Sequence, residues 1–389
     1  MTALEPSIPR GDAVGLLRAI VRVDSRNPSL VAGAPGEQAV SHLLADVLAS
    51  WGFRVELQEA VPGRPNVIAR IGPSGGRALM FNGHVDVVDV AGMVHAPFDA
   101  EVRDGRIYGR GSSDMKGGVA AMCAAAARAA DQLEGEIIVT GVVDEEFASE
   151  GTKALIRSGI RAEAAIVTEP TQLRIGPAHR GFSWIELSFR GRAAHGSRYD
   201  LGADAIAHAG AVLHELETLQ RDVLDRRTHL LLGHASLHAS TITGGAGWST
   251  YPDRCVLQVE RRTLPGETTA NVMEEFSAAC ARAKERFPAL DVQLTPMLTQ
   301  EPSDVSADAP VVQALSAALA AEGEAVSITG VSAWTDAALL NAAGIPAICF
   351  GPGDMGLAHA DEEYIEVAEV ERVTRVLTRL ACDWFREAR

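Results

Sequence analysis

Apolar residues recur with a helical period in two N-terminal stretches and then give way to short runs typical of strands. The period predicts helices over about Asp12–Val23 and Gly36–Trp51, the second closed by Gly52. The strand-like runs that follow are Arg54–Leu57, Asn66–Ile71 and Ala78–Gly83. The chain therefore opens with helices that lead into strands.

Strands and helices continue to alternate through the first part of the chain. A helix rich in small residues follows Asp114, the buried-strand pattern GEIIVTGVV comes next, and a helix over about Gly151–Arg157 leads to the run AAIV. This alternation favours an α/β fold, in which helices cover both faces of a mostly parallel sheet. Functional side chains then belong at the carboxyl ends of the strands, where His84, Glu145 and Glu169 fall.

The pattern changes after about Ala178, where strands and helices follow in the order strand, helix, strand, strand, helix, strand. That order predicts a small α+β sandwich inserted into the larger domain. Its elements are the alternating run RGFSWIELSFRG, a helix over DLGADAIAHAGAVLHELETL, strands Ala235–Thr243 and Arg254–Glu260, a helix Ala270–Arg286 and a strand near Val292–Leu294.

The α/β pattern resumes from about Glu301, with a buried strand in IPAICFGPG and a closing amphipathic helix over Val367–Arg386. The chain returns in this way to the larger domain. We therefore predict one domain over residues 1–178 and 296–389, and an inserted domain over residues 179–295.

Composition narrows the classes of function. The 389 residues include 35 basic and 51 acidic side chains, and the net charge of −16 argues against nucleic-acid and anionic-membrane partners. No apolar run reaches the roughly 18–20 residues of a membrane span, and the opening MTALEPSIPRGD lacks the pattern of a signal peptide. Five scattered cysteines without CxxC spacing indicate a reducing, cytoplasmic location and no sulfur-ligated metal.

Two predicted strand ends carry pairs of polar residues that could bind a metal ion or take part in catalysis. In FNGHVDVV, His84 and Asp86 are two residues apart and point to one face, as in a metal-binding histidine held by a carboxylate. A structural hydrogen bond explains that pair equally well. In VVDEEFASEG, Glu145 and Glu146 diverge, so one could bind metal while the other acts as a general base. A solvated acidic turn is the alternative.

Three further residues gain meaning only as a set. Asp114 in GRGSSDMKGG reads alone as a helix cap, Glu169 in IVTEP as a strand-terminal acid, and His359 in GLAHADEEY as an ordinary loop histidine. Together with the two strand-end pairs, they supply nitrogen and oxygen ligands without thiolate. Such a set suits zinc, or cobalt or manganese. Two ions about 3.5–4 Å apart that share a carboxylate form a hydrolytic site.

The order of these motifs resembles a known family. GHVDVV, GRGSSDMKGG, DEE, EP and AHADEEY follow one another as in the zinc-dependent aminoacylase/carboxypeptidase family, and the resemblance covers essentially the whole chain. That family includes acetylornithine deacetylase, succinyl-diaminopimelate desuccinylase and bacterial glutamate carboxypeptidase. The resemblance implies a hydrolase with two zinc ions and a cis peptide bond after the bridging aspartate, here Asp114–Met115.

The resemblance also implies a role for each residue of the site. Asp86 would be the partner of His84, and Glu145 would be the base that takes a proton from the bridging water. The implied ligands are His84 and Glu169 for one ion, Glu146 and His359 for the other, and Asp114 between them.

In relatives, the inserted domain forms a lid and the dimer interface, so the resemblance implies a homodimer. It implies that His195, in GRAAHGS, reaches the partner subunit's active site and stabilises the oxyanion. In RRTLPGE, Arg262 resembles a clamp for a substrate carboxylate and is preferred over Arg261. Arg180 is a further candidate for binding a polar group of the substrate.

Some residues depart from the family pattern. Ser249 stands where the family usually has an asparagine, and Trp248 and Trp334 are bulky for segments that line a substrate pocket. These departures concern the substrate and leave the metal chemistry intact.

The predicted reaction is hydrolysis of the amide bond of an N-acyl amino acid by water activated between two metals. The alternatives are a dipeptidase or glutamate-type carboxypeptidase with the same site and, from another class, a non-catalytic metal- or ligand-binding protein.

Overall fold

The computed structural model describes residues 8–386, so the ends of the chain, including part of the segment used to argue against a signal peptide, lie outside it. The chain forms two compact units. The first unit comprises the described parts of Met1–Pro177, Val305–Thr329 and Thr335–Arg389. The second, the inserted unit, comprises Ala178–Asp304 and Gly330–Trp334.

The first unit begins with two helices, followed by strands and helices that alternate along the chain. In chain order they are α1 (Ala13–Val21), α2 (Gln38–Ser50), β1 (Arg54–Val61), β2 (Arg64–Ile71), β3 (Ala78–His84), β4 (Glu101–Arg103), β5 (Arg106–Tyr108), α3 (Gly117–Ala129), β6 (Glu136–Val142), α4 (Glu150–Arg157), β7 (Ala164–Val167) and β8 (Ile175–His179). The elements after the insertion are α7 (Pro310–Ala321), β16 (Ile328–Val331), α8 (Ala337–Ala342), β17 (Ala347–Cys349), β18 (Tyr364–Glu366) and α9 (Val367–Trp384).

The central sheet of the first unit runs in the order β1-β2-β6-β3-β7-β17-β8. Strands β6, β3, β7 and β17 are parallel to one another, while the outer pairs are antiparallel. Strand β6 is buried at every position, as a strand covered on both faces must be. Helix α3 is buried nearly all round, and its alanines allow close packing against α1 and α9. The predicted α/β class is confirmed.

The inserted unit is a four-stranded antiparallel sheet with two helices. Its elements are β9 (Gly181–Arg190), α5 (Ala205–Asp222), β10 (Thr228–His229), β11 (Gly233–His234), β12 (Ser236–Gly244), β13 (Arg254–Thr263), α6 (Thr269–Arg286), β14 (Asp291–Gln300) and β15 (Ser303–Asp304). The sheet order is β12-β13-β9-β14. Alternate residues of β9, among them Ile185, Leu187 and Phe189, form the core of this unit with residues of α5 and α6. The predicted α+β sandwich is therefore present.

A small sheet of the order β18-β5-β4 has no counterpart in the sequence analysis. Its strands have three residues each, too few to show a period. The pairing of Tyr364 with Tyr108 joins β18 to the segment just before Asp114.

Among the described residues, no helix combines the length and the apolar character that crossing a bilayer requires.

Candidate metal centre

Five side chains that are distant in sequence converge in the first unit. They form two groups whose ligand atoms lie within 4.8 Å of one another: His84, Asp114 and Glu169, and Asp114, Glu146 and His359. Asp114 belongs to both groups. Its Oδ1 lies 3.2 Å from Nε2 of His84, and its Oδ2 lies 3.5 Å from Nε2 of His359. One carboxylate therefore faces two half-sites, which is the arrangement of a bridging ligand.

The sheet brings three of the ligand segments together. His84 ends β3, Glu169 follows β7 by two residues, and Glu145 and Glu146 follow β6. These three strands are adjacent and parallel, so their carboxyl ends meet at one edge. His84, Glu145 and Glu169, which the sequence analysis assigned to strand ends, therefore lie at one edge of the sheet.

Asp114 lies in the turn between β5 and α3, and small residues allow that turn to approach the sheet. Gly111 has a φ of 80°, a left-handed conformation that glycine adopts without cost. A Cβ at Gly118 would collide with the backbone carbonyl of Thr168, next to Glu169. The Asp114–Met115 peptide bond is cis.

Asp86 contacts more than His84. Nδ1 of His84 lies 2.9 Å from the backbone carbonyl oxygen of Asp86 and 3.6 Å from its carboxylate. The nitrogen that donates to the carbonyl is Nδ1, which leaves Nε2 facing Asp114. The Asp86 carboxylate accepts the backbone N–H groups of Glu145 and Glu146, each at 3.2 Å. Asp86 therefore holds both the histidine and the acidic turn.

A buried network behind the site was missed by the sequence analysis. Nδ2 of Asn27 donates to Asp86 at 2.8 Å and to Asp144 at 3.1 Å, and Nη2 of Arg64 donates to Asp144 at 2.9 Å. Arg64 also pairs with the fully buried Glu37. Asp144 directly precedes Glu145 and has a φ of 68°. These residues carry no motif of their own; only their shared burial in the fold reveals them.

The site concentrates negative charge in a buried place. Burial raises the pKa of Glu145 and of Glu169 well above the usual value, and burial likewise raises the pKa of Glu146. Oε1 of Glu169 is buried and accepts no hydrogen bond from the described residues. Burying a charged carboxylate destabilises the folded state unless a cation or a hydrogen-bond donor compensates its charge. The ligands present, all nitrogen or oxygen, therefore fit divalent metal ions.

The two histidines hold protons tightly when no metal competes. Burial alone would lower the pKa of His84, but its hydrogen bond to Asp114 and the surrounding carboxylates raise it well above its usual value. The hydrogen bond from His359 to Glu146, at 3.0 Å, is the main cause that raises the pKa of His359 to about 9. Each imidazole sits where a cation is favoured.

His195 and Ser249 lie in adjacent loops of the inserted unit. Nδ1 of His195 is 2.9 Å from Oγ of Ser197, and the backbone N–H of Gly196 donates to the carbonyl of Ser249 at 2.8 Å. The side chains of His195, Ser249 and Trp248 are all exposed. Trp334 is instead buried within the inserted unit, and its indole N–H donates to the carbonyl of Glu301.

The two neighbouring arginines of β13 have different surroundings. Arg261 is fully buried and pairs with Glu267 and Glu275. The side chain of Arg262 is 32% exposed, pairs with Glu260 and lies over the ring of Phe182 at 5.3 Å. Only Arg262 is therefore accessible to a small molecule.

Arg180 lies within electrostatic range of Arg262. Burial, and next the charge of Arg262, lower the pKa of Arg180. Its Nη2 donates to the carbonyl of Leu232, and its Nε is buried without a hydrogen-bond partner among the described residues. This part of the inserted unit therefore carries two clustered guanidinium groups, one of them incompletely satisfied.

Known proteins resemble this chain over most of its length. It is 33% identical over 341 residues to acetylornithine deacetylase of Myxococcus xanthus, which covers 85% of this chain and 88% of the relative. It is 27% identical over 384 residues to N-formyl-4-amino-5-aminomethyl-2-methylpyrimidine deformylase of Bacillus subtilis strain 168, with 90% of each chain covered.

A solved structure shows the same fold. The YXEP protein of Bacillus subtilis, described as a dinuclear metal binding peptidase from the M20 family, superposes with a TM-score of 0.73 at 15% identity, over 96% of this chain and 98% of that one. The family model for peptidase family M20/M25/M40 matches residues 80–383. The resemblance inferred from the motifs is thereby confirmed: this chain belongs to peptidase family M20/M25/M40.

Proposed function

We propose that this protein is a metal-dependent hydrolase that cleaves the amide bond of an N-acyl amino acid with water activated between two metal ions. The observation that carries the proposal is the pair of ligand groups that share Asp114. His84 and Glu169 would hold one ion, Glu146 and His359 the other. Zinc is the metal we propose, and cobalt or manganese suits the same nitrogen and oxygen ligands. Two such ions lower the pKa of a water molecule and polarise an acyl carbonyl.

Glu145 is the proposed general base. Its side chain is only 11% exposed, and Oε2 lies 3.9 Å from Nε2 of His84. Burial raises the pKa of this carboxyl, so it holds a proton more readily than a surface glutamate. A base of raised pKa can accept the proton of the attacking water and later donate it to the departing amine.

The inserted unit would bind the substrate. We propose that the imidazole of His195 donates to the developing oxyanion and that Arg262 binds a carboxylate through charge-assisted hydrogen bonds. Arg180 and Ser249 are the further candidates for polar contacts with the substrate. The exposed imidazole and the accessible guanidinium of Arg262 support these roles.

A homodimer is part of this proposal, with His195 acting in the site of a second copy. Strand β12 lies at the edge of the inserted sheet, and its residues from His238 to Gly244 are exposed. An edge strand presents backbone donors and acceptors that a second copy can pair with. We also propose a cytoplasmic location, since all five cysteines are free and buried.

A substrate panel tests the reaction. Zinc- and cobalt-loaded protein should release amine from N-acetyl- or N-succinyl-amino acids, and a chelator should abolish that release. The same panel should include dipeptides and the N-formylated aminomethylpyrimidine that the Bacillus relative's name specifies. Faster turnover of dipeptides would favour the peptidase alternative. Metal binding without turnover of any amide would contradict catalysis and support a binding protein.

A further inference from the structure

Glu363 is a fully buried carboxylate in the loop between His359 and β18. Its two oxygens accept four hydrogen bonds. Oε1 accepts the backbone N–H groups of Ser113, at 2.9 Å, and Asp114, at 3.1 Å. Oε2 accepts the backbone N–H of Gly111 at 3.0 Å and Nη1 of Arg110 at 2.8 Å. Three of the four donors therefore belong to the backbone of the turn that carries the shared aspartate.

These bonds satisfy three backbone N–H groups that have no acceptor within the turn itself. The N–H groups of Ser112 and Lys116 bond to carbonyls within the same segment, at 3.1 and 2.8 Å. The N–H groups of Gly111, Ser113 and Asp114 instead reach Glu363, and all three residues are buried. A buried N–H group without an acceptor costs about 1–3 kcal/mol. The turn thus depends on a residue far away in the sequence for its conformation.

The backbone of Glu363 adds a second attachment to the same segment. Its carbonyl accepts the N–H of Gly109 at 3.2 Å, and the next residue, Tyr364, pairs with Tyr108 of β5. His359 lies in the same loop, four residues before Glu363. One short loop therefore supplies the histidine of one half-site and the acceptor that fixes the shared carboxylate.

We propose that Glu363 is a positioning residue that sets the place of the Asp114 carboxylate relative to His359, and thereby allows two cations to bind side by side. The inference rests on the two-metal site proposed above and names a residue outside its ligands. A simple ion pair between Glu363 and Arg110 would require only one of the four hydrogen bonds. The other three act on the turn itself, which is why the carboxylate affects metal binding and not stability alone.

The test is Glu363→Gln, with zinc or cobalt as the probe. A glutamine has one acceptor oxygen, so in either orientation its NH₂ group faces N–H donors of the turn or Arg110. We expect the second equivalent of metal, measured by calorimetric titration, to bind about 10–100-fold more weakly, as is usual when a partner of a ligand is lost. In the dicobalt protein, the magnetic coupling seen by electron paramagnetic resonance should weaken.

Two further variants keep the test decisive. Glu362→Gln, at the adjacent exposed position, should bind both equivalents like the wild type. Glu363→Asp keeps the charge but shortens the side chain. If the glutamine variant does not fold, the aspartate variant should fold and show the same weaker binding of the second metal equivalent. Wild-type affinity and an unchanged cobalt spectrum in a folded Glu363 variant would overturn the inference.

Amide hydrogen exchange on metal-free protein separates this inference from the proposed function. The N–H groups of Gly111, Ser113 and Asp114 should be protected in the wild type and exchange at least 10-fold faster in Glu363→Asp. Equal exchange in both proteins would refute the role of Glu363. If the turn amides exchange faster in Glu363→Asp as expected, but the wild type binds fewer than two metal ions, the two-metal function would be refuted instead.

Discussion

Glu145 and Glu146 are adjacent in the sequence but have different partners. Glu146 meets His359 at 3.0 Å, whereas Glu145 lies beside His84 and belongs to neither ligand group. Glu145→Gln should therefore keep its metal content while kcat/KM falls by about 10²–10⁴-fold, the usual contribution of a general base. Elemental analysis and steady-state kinetics measure the two quantities.

Glu150→Gln is the matched control, because Glu150 lies nearby in α4 and pairs with Lys153 at the surface. Its activity should equal that of the wild type. Activity close to wild type in Glu145→Gln, or loss of one metal equivalent, would show that the two adjacent glutamates have been assigned the wrong roles.

His359 makes the stability of the metal-free protein depend on pH. Its pKa is raised from 6.5 to about 9, so the folded state binds this proton more tightly than the unfolded chain does. The stabilisation is complete below about pH 6.5 and is lost as pH rises through about 9. The midpoint of thermal unfolding should fall over that window. The fall should be modest, since 52% of the side chain is exposed.

His359→Gln isolates this contribution from the carboxyl groups of the site. Without the imidazole, the decline of the unfolding midpoint between pH 6.5 and 9 should be shallower than in the wild type. Parallel pH profiles for the two metal-free proteins would mean that the His359–Glu146 contact does not form.

Among the elements, β2 and the residue that directly precedes α2 form a buried ion pair that supports the acidic turn. The side chains of Arg64, Glu37 and Asp144 are 9%, 0% and 3% exposed. Arg64→Met would leave two buried carboxylates without their cation and should lower the free energy of unfolding by about 3–5 kcal/mol. Urea unfolding of metal-loaded protein measures the change.

Arg70→Met on the same strand provides the comparison. Arg70 is 33% exposed and pairs with Glu136, which also pairs with Arg54, so its loss should cost less than about 1 kcal/mol. Equal losses for the two variants would show that Arg64 contributes no more than a surface ion pair.

How far the sequence predicts this site depends on the kind of contact. The proposed ligands at strand ends, such as His84 and Glu169, are candidates that periodicity and local motifs predict. Glu363 lies in the motif AHADEEY but looks like its exposed neighbour Glu362, because the pattern does not show which of two adjacent acids turns inward. The contacts of Asp86 with the Glu145–Glu146 turn, and those of Arg64, are long-range. They exist only once the sheet has formed, so local sequence carries no signal for them.

For the molecule as a whole, the proposed homodimer predicts how active a dimer of two different variants should be. Glu145→Gln and His195→Ala should each be nearly inactive. If His195 acts in the site of its partner, a mixed dimer contains one complete site, and unfolding and refolding an equal mixture should restore about a quarter of wild-type activity. Activity assays before and after refolding measure the recovery. No recovery, in a mixture that sedimentation shows to be dimeric, would place His195 in its own subunit's site.

The proposed ligands of the metal centre lie on both sides of the insertion in the sequence. Four of them precede β8, while His359 and the supporting Glu363 follow the inserted unit. During translation, the ribosome therefore finishes the entire insertion before the last ligand emerges. A product that stops before His359 would lack one of the proposed ligands, so under the proposed function the nascent polypeptide would bind both ions only after the whole insertion has been synthesised.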